Sequence, residues 1–552
     1  MAKQLTYTVG SLLDEMALRF PDNEALVYPE RGLRYTYKQF NEACRQLAKG
    51  LLRLGIKKGD NISIWAYNVP EWVLLQFASA KIGAILVTVN TSYKSAELEY
   101  ILSQSDSTSL FMVGSFKDTN YIETLASIVP ELATSKPGKL TTAKLPYLNN
   151  IIFIGQETPA GMLNFDGIIK MGEEVPDSEL KAAEANLNCH ETINMQYTSG
   201  TTGFPKGVML THYNLVNNGF QIGECMKFTE HDRLCIPVPF FHCFGCVLGV
   251  MVCVTHASTM VPVEIFDPLK VLQTIEKEKC TAVHGVPTMF IAELEHPDFA
   301  QFDLSSMRTG IMAGSVCPIE VMKRAVKDMH VSEITSVYGQ TEASPGITQT
   351  RTDDAIELRV ATVGRALPGA EVKITDIETG ATLPPGKQGE LCARGYMVMK
   401  GYYKMPEETA TVIDADGWLH TGDLAIMDEN GYCKITGRIK QMIIRGGENI
   451  YPREIEEFLY THPKISDIQV YGVPDRKYGE QVMAAVILKK GVVMTEDEVR
   501  DFCRDKIANY KIPKYVKFVD GYPMTASGKI QKFKMREMAI KELQLEDMGE
   551  TA

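Results

Sequence analysis

Tyr197-Thr198-Ser199-Gly200-Thr201-Thr202-Gly203-Phe204-Pro205-Lys206-Gly207 gathers three glycines, four Ser/Thr hydroxyls and one lysine in a single run. The residues before it, Glu191 to Tyr197, read as a β-strand, and Thr211-His212-Tyr213-Asn214 after it reads as a helix start. Glycines let backbone N–H groups converge on one point without Cβ obstruction. Such groups, joined by hydroxyls and an ammonium, suit a polyphosphate. A flexible Ser/Gly/Thr linker is the plainer reading, but linkers are not usually bounded by apolar strands and rarely leave through Pro-Lys-Gly. The run is not a Walker A motif, because Lys206 follows Pro205 and precedes Gly207. No Gly-Lys elsewhere is followed by Ser or Thr, and no Gly-x-Gly-x-x-Gly is present. Phosphate is therefore expected on a different scaffold.

The flanking chain supports a globular protein of more than one domain. Its 552 residues are 45% hydrophobic and 23% charged, long enough for two or more domains. A formal net charge of −12 argues against nucleic acid as partner. The twelve cysteines are scattered, which points to reduced thiols in a cytosol, and the lone Cys243-x-x-Cys246 is weak evidence for zinc. The first residues carry no apolar signal region, and the run Cys246 to Val254 is about half a membrane span. We expect a cytoplasmic protein without a membrane span, its oligomeric state open, a homo-oligomer included.

Upstream, helices and strands alternate: helix 9–20, strand 24–28, helix 36–54, strand 61–65, a helix from Pro70, strand 84–89. This predicts an α/β fold, a large N-terminal domain of doubly wound, mainly parallel sheets. Residues 130–146 are polar and read as surface. Downstream, His242 sits in Phe240-Phe241-His242-Cys243-Phe244-Gly245 before an apolar helix, and no acidic residue falls between Pro237 and Val263. Ala313-Gly314-Ser315 ends a strand, and Tyr338-Gly339-Gln340-Thr341-Glu342 reads as a polar turn after another. From about residue 360 to 436 the pattern turns β-rich, with turn signals at Pro368-Gly369, Pro385-Gly386, Asp416-Gly417 and Asn430-Gly431. Thr421-Gly422-Asp423 lies inside it. Gly437-Arg438-Ile439-Lys440 and Arg445-Gly446-Gly447 follow, and then a small α+β domain with helices 452–459 and 496–507 and strands 468–473 and 482–488. Near the end stands Ser527-Gly528-Lys529-Ile530.

The glycine loop, the 335–342 segment, Thr-Gly-Asp, the 437–452 junction and the Ser-Gly-Lys turn together resemble the ordered motifs of the adenylate-forming superfamily. That superfamily comprises acyl-CoA synthetases, peptide-synthetase adenylation domains and firefly-type luciferases. The resemblance runs from about Leu12 to Met538 and is strongest to medium-chain fatty acyl-CoA synthetases. It implies domains 1–439 and 440–552, the second a small mobile lid on a hinge at Lys440. It implies ATP held by Thr198, Ser199, Gly200, Thr201, Thr202, Gly203, Lys206, Tyr338, Gly339, Gln340, Thr341, Asp423, Arg438 and Lys529. Mg²⁺ would sit on Glu342 and coenzyme A along Gly446 and Gly447. The acid would lie against His242, Gly245, Ala313, Gly314 and Ser315, with Lys529, Glu342, Thr198 and His242 catalytic. Amino-acid-activating relatives carry an aspartate early in the 237–263 stretch to pair the substrate ammonium. Its absence disfavours an amino acid, since a buried unpaired ammonium is costly. A CoA ligase for an aromatic or alicyclic acid, a luciferase-type oxygenase and a non-catalytic adenylate-binding protein are the alternatives.

Overall fold

Alternating apolar strands and capped helices build the first half of the chain. Thr36 caps the helix Tyr37–Arg53 in a reciprocal arrangement with Gln39. Pro70 opens the helix Pro70–Ile82, and Gly83, at φ +74°, closes it. Of that helix only Glu71 is not buried, so it reads apolar on every face rather than amphipathic. A computed structural model describes residues 3–198, 205–314, 317, 319–446, 448–504, 506–525 and 530–545. The chain divides into two units, residues 1–372 with 393–419, and residues 373–392 with 420–552. Residues 393–419, inside the stretch read as β-rich, thus group with the first unit.

The first unit holds two large sheets. One has the strand order Thr309–Met312, Ala282–Gly285, Arg233–Ile236, Thr259–Pro262, Glu24–Tyr28, Leu33–Thr36, parallel except at the last pair. The other runs Gly401–Tyr402, Lys206–Thr211, Thr192–Thr198, Ile85–Thr88, Asn61–Trp65, Ser109–Met112, Asn150–Phe153, Leu163–Asn164. It is parallel from Thr192–Thr198 onward. The two strands before that are antiparallel additions. The expected α/β architecture is present.

A four-stranded sheet follows the order Ala370–Thr375, Gln388–Gly395, Leu419–Met427, Cys433–Arg438. Asn430-Gly431 makes the last turn, with Gly431 at φ +82° and Asp428 accepting from the amides of Asn430 and Tyr432. A five-stranded sheet then places Gly479–Leu488 between Ile443–Arg445 and Ile465–Asp475, with Tyr515–Phe518 beside it in parallel. The helix expected over 496–507 ends earlier, at Cys503, because Arg504 turns to an extended conformation.

Candidate active site

The glycine-rich run joins the two strands of an antiparallel hairpin. Thr198 stands directly opposite Lys206 in that hairpin. Of that run, Ser199, Gly200, Thr201, Thr202 and Gly203 lie outside the described residues, as do Ser315, Gly447 and Lys529. The expected helix start is Thr211, whose hydroxyl accepts from the Asn214 amide and caps His212–Cys225.

That helix carries four buried amide side chains, each used to hold a loop. Asn214 Nδ2 donates to the carbonyls of Tyr396 (2.6 Å) and Val398 (3.0 Å). Asn217 exchanges two hydrogen bonds with the backbone of Leu5. Asn218 Oδ1 accepts from Gly346 N–H (3.1 Å), and its Nδ2 donates to the Gly346 carbonyl (2.9 Å). Gln221 donates to the Lys3 carbonyl. Buried amides of this kind are stable only when so satisfied.

Gly346 begins the second strand of the hairpin Val337–Gly339 and Gly346–Gln349. The turn between them carries Gln340, Thr341 and Glu342. Gly339 is required there, because a Cβ would stand 1.7 Å from the Pro345 carbonyl oxygen. Thr341 is buried, its hydroxyl 3.8 Å from Cys243 Sγ. This brings the 335–342 segment beside the His242 segment. His242 Nδ1 accepts from the Phe244 amide at 3.1 Å, and the Phe244 ring lies 6.0 Å from that of His284. The apolar helix after His242 is a π-helix over Phe244–Met251, a form that clusters at functional sites. Gly245 fits under the Pro239 carbonyl, which a Cβ would meet at 2.3 Å. Ala313 is buried, and Gly314 has φ +89° with Val286 Cγ1 3.0 Å from where its Cβ would be.

The segment that joins these parts was missed in the sequence. Residues 396–403 form a strap. The Met399 amide donates to the Glu342 carbonyl (2.9 Å), the Lys400 amide to Met209 (2.9 Å) and the Tyr403 amide to Gly207 (2.8 Å). Tyr402 pairs with Val208 across the sheet. Its hydroxyl donates to Glu342 Oε1 at 2.9 Å, and Lys206 Nζ stands 5.0 Å from its ring centroid. Burial, with Glu342 second, raises the Tyr402 pKa, so the phenol keeps its proton. The available signal was Gly401-Tyr402-Tyr403: Gly401 adopts φ +141°, and a Cβ there would stand 2.9 Å from Thr409 Cγ2.

In the second unit, Asp423 and Arg438 are register partners, joined by Arg438 Nε donating to Asp423 Oδ1 at 2.7 Å. The carboxylate is buried and the guanidinium half exposed. The Thr421-Gly422-Asp423 backbone is tied from behind. Thr421 Oγ1 donates to the Leu391 carbonyl (2.7 Å), and Glu390 accepts from the Gly422 amide (2.9 Å) and pairs with His420 Nδ1 (2.8 Å). Glu390, Cys392 and His420 bring three ligand-type atoms within 4.8 Å. Two of these side chains are committed to the turn by the bonds above. Arg445 pairs with Glu448 across a tight hairpin, and Gly446, next to Arg445, sits at φ +60°. Hairpin geometry therefore already calls for glycine at 446. Lys440 lies in a short 3₁₀ turn, Ile439–Gln441.

Comparison with known proteins shows the family. The family model "AMP-binding enzyme" matches residues 13–403, and "AMP-binding enzyme C-terminal domain" matches 454–529. A Bacillus subtilis (strain 168) protein named as an acyl-CoA synthetase, YngI, is 58% identical over 540 residues, 98% of each chain. The Bos taurus mitochondrial medium-chain acyl-CoA ligase ACSF2 is 43% identical over 544 residues, 98% of this chain and 88% of that one. Among solved structures, the anthranilate CoA ligase AuaEII in complex with anthranoyl-AMP superposes with a TM-score of 0.85 at 27% identity, covering 98% of this chain and 99% of that one.

Proposed function

The chain belongs to the AMP-binding enzyme family, and from that premise we propose that it is an AMP-forming acyl-CoA synthetase acting on a medium-chain fatty acid. The observation that carries the reading is the meeting of Lys206 and Glu342 on Tyr402 at the foot of the glycine-rich hairpin. A cation for phosphate and a carboxylate for a metal are thereby held side by side.

The reaction needs positioning and charge neutralisation more than covalent side-chain chemistry. An oxygen of the acid attacks the α-phosphorus of ATP, and the bond to the bridging oxygen breaks, releasing diphosphate. The thiol of coenzyme A then attacks the acyl carbon; a C–S bond forms, AMP leaves, and the thiol proton passes to solvent. In this reading Lys206 and the hairpin loop bind the β/γ-phosphates, Tyr338 faces the base, Thr341 bonds phosphate, and Asp423 with Arg438 holds the ribose. Lys529 neutralises charge at the α-phosphate, and Lys440 is the hinge about which residues 440–552 move between the two steps. Glu342 would hold Mg²⁺: a hard cation bound through one carboxylate and substrate phosphates fits a single half-buried carboxylate. When bound, the ion neutralises charge on the β/γ-phosphates.

For the acid, Phe244, Val286, Met289 and Ala313 are buried apolar residues, and the Phe244 amide donates to His242. This supports an apolar monocarboxylic acid. The name of the ACSF2 relative supports medium chain length, while that of AuaEII keeps an aromatic acid as the second reading. Twelve cysteines in no disulfide support a reducing cytosol. Among the described residues no helix is long and apolar enough to cross a membrane. Acid- and CoA-dependent AMP formation, assayed from acetate to long-chain acids and benzoates, tests the whole reading. No AMP with any acid refutes it, and a preference for acetate refutes the chain length.

A further inference from the structure

A metal carboxylate and a phosphate lysine must stand at a fixed separation if ATP is to meet both. Lys206 and Glu342 come from segments 136 residues apart, on a strand and on a 3₁₀ turn. We propose that Tyr402 is the positioning residue that sets this separation, its hydroxyl orienting the Glu342 carboxylate and its ring seating the Lys206 ammonium. The inference rests on the acyl-CoA synthetase reading and adds to it a residue acting through two others.

Tyr402 is itself fixed. Its backbone is paired with Val208, two residues along the strand from Lys206, and its amide donates to Thr409 Oγ1 at 2.9 Å. The side chain is only 7% exposed. A buried phenol needs an acceptor, and among the described residues its acceptor is Glu342 Oε1, at 2.9 Å. That bond is made at the ring edge and leaves the ring faces open, so Lys206 can lie over the ring at 5.0 Å, a cation–π distance. By engaging Oε1, the hydroxyl fixes the rotation of the carboxylate and so the direction from which a divalent cation is met. The strap reinforces the arrangement, because the Met399 amide holds the Glu342 carbonyl (2.9 Å) and the Tyr403 amide holds that of Gly207 (2.8 Å). Phenylalanine would keep the fold and the cation seat but lose the orienting bond.

The test uses the full chain as wild type, Tyr402→Phe, Glu342→Gln and the double variant. Mn²⁺ binding in the presence of ATP and the absence of acid is followed by electron paramagnetic resonance, so that no turnover is involved. AMP formation with the acid and Mg²⁺ is measured in parallel. A hydrogen bond to a charged group is lost in Tyr402→Phe, so its Mn²⁺ affinity should fall about tenfold. ATP affinity without metal should change less than twofold, and Tyr402→Phe should weaken Mn²⁺ no further in the Glu342→Gln background. Mn²⁺ affinity within twofold of wild type, or an equal loss in both backgrounds, overturns the proposal. A lowered melting temperature with unchanged Mn²⁺ affinity also overturns it, since Tyr402 would then be merely structural. A wild type that forms no AMP sinks the functional reading instead, and the Mn²⁺ comparison still decides the role of the tyrosine.

Discussion

Removing the Asn218 side chain should loosen the Glu342 turn without touching it. Asn218 is fully buried and makes two hydrogen bonds to Gly346, accepting from its N–H at 3.1 Å and donating to its C=O at 2.9 Å. Asn218→Ala removes both and leaves two buried backbone groups without partners. Each net bond is worth about 1 kcal/mol, and each stranded group costs about 1–3 kcal/mol. The truncated amide leaves room for about one water, which can satisfy one of the two groups, so we expect a loss of about 2–4 kcal/mol. Gly346 is the first residue of the strand that closes the 340–345 turn, so part of the loss should appear as poorer placement of Glu342. Guanidinium unfolding of the full chain reads the stability term. ATP–pyrophosphate exchange against ATP and Mg²⁺ reads the second, where a three- to tenfold rise in KM for MgATP is expected. Asn214→Ala, acting on the strap through Tyr396 and Val398, should show the same pair of effects. A variant of normal stability, or one destabilised with unchanged KM, would show that the helix His212–Cys225 does not organise the site.

The sequence made the local elements legible because their signals are local. Thr36 with Gln39, Pro70 with Gly83 and Asn430-Gly431 mark ends and turns by chemistry within a few residues. The parallel strands Glu24–Tyr28, Asn61–Trp65 and Ile85–Thr88 are short, largely apolar runs and are legible as such, whereas Thr259–Pro262 and Ala282–Gly285 are not marked by so clear a pattern. What joins the motifs was not legible, because it depends on pairings distant in the chain. Tyr402 meets Glu342 and Lys206 only because Gly401–Tyr402 adds to the edge of a sheet begun near residue 61. In the sequence it is one of 23 tyrosines. The buried amides of Asn214, Asn217 and Asn218 look like a polar helix face until loops cover them. The helix Lys532–Glu542 was missed for the opposite reason: only Met535 and Ala539 are buried in it, leaving little apolar periodicity. The glycines were read for ligand access, yet Gly339, Gly245 and Gly446 already have backbone reasons to be glycine.

Four further perturbations rest on particular residues. Gly314 holds φ +89°, so Gly314→Ala should cost about 1–2 kcal/mol from backbone strain alone. Ala313→Leu is the cleaner probe of the acid site and should move the chain-length optimum of kcat/KM to shorter acids; an unchanged profile would remove Ala313 from the lining. Glu390→Gln cannot accept from both Gly422 N–H and His420 and should raise KM for ATP about fivefold, a loss of about 1 kcal/mol at the Thr421–Asp423 turn; unchanged ATP kinetics would separate that turn from nucleotide binding. The last perturbation is pH. Burial lowers the His284 pKa to about 4, so between that value and its ordinary 6.5 the unfolded chain binds the extra proton. The His284 contribution to stability is therefore complete above pH 6.5 and is lost as pH falls toward 4. Burial raises the Glu293 pKa to about 8 from 4.5. In this window the folded chain keeps a proton that the unfolded chain releases, so this contribution is complete below pH 4.5 and is lost as pH rises to 8. The two slopes oppose each other between pH 4.5 and 6.5. Only the Glu293 slope remains from 6.5 to 8, and there wild-type stability should decline. Glu293→Gln removes that decline, whatever its fixed cost in packing. Unfolding free energies at pH 6.5 and 8 should converge for the variant and differ for the wild type by roughly a few kcal/mol. Equal slopes in the two proteins would mean that Glu293 is ionised within the fold.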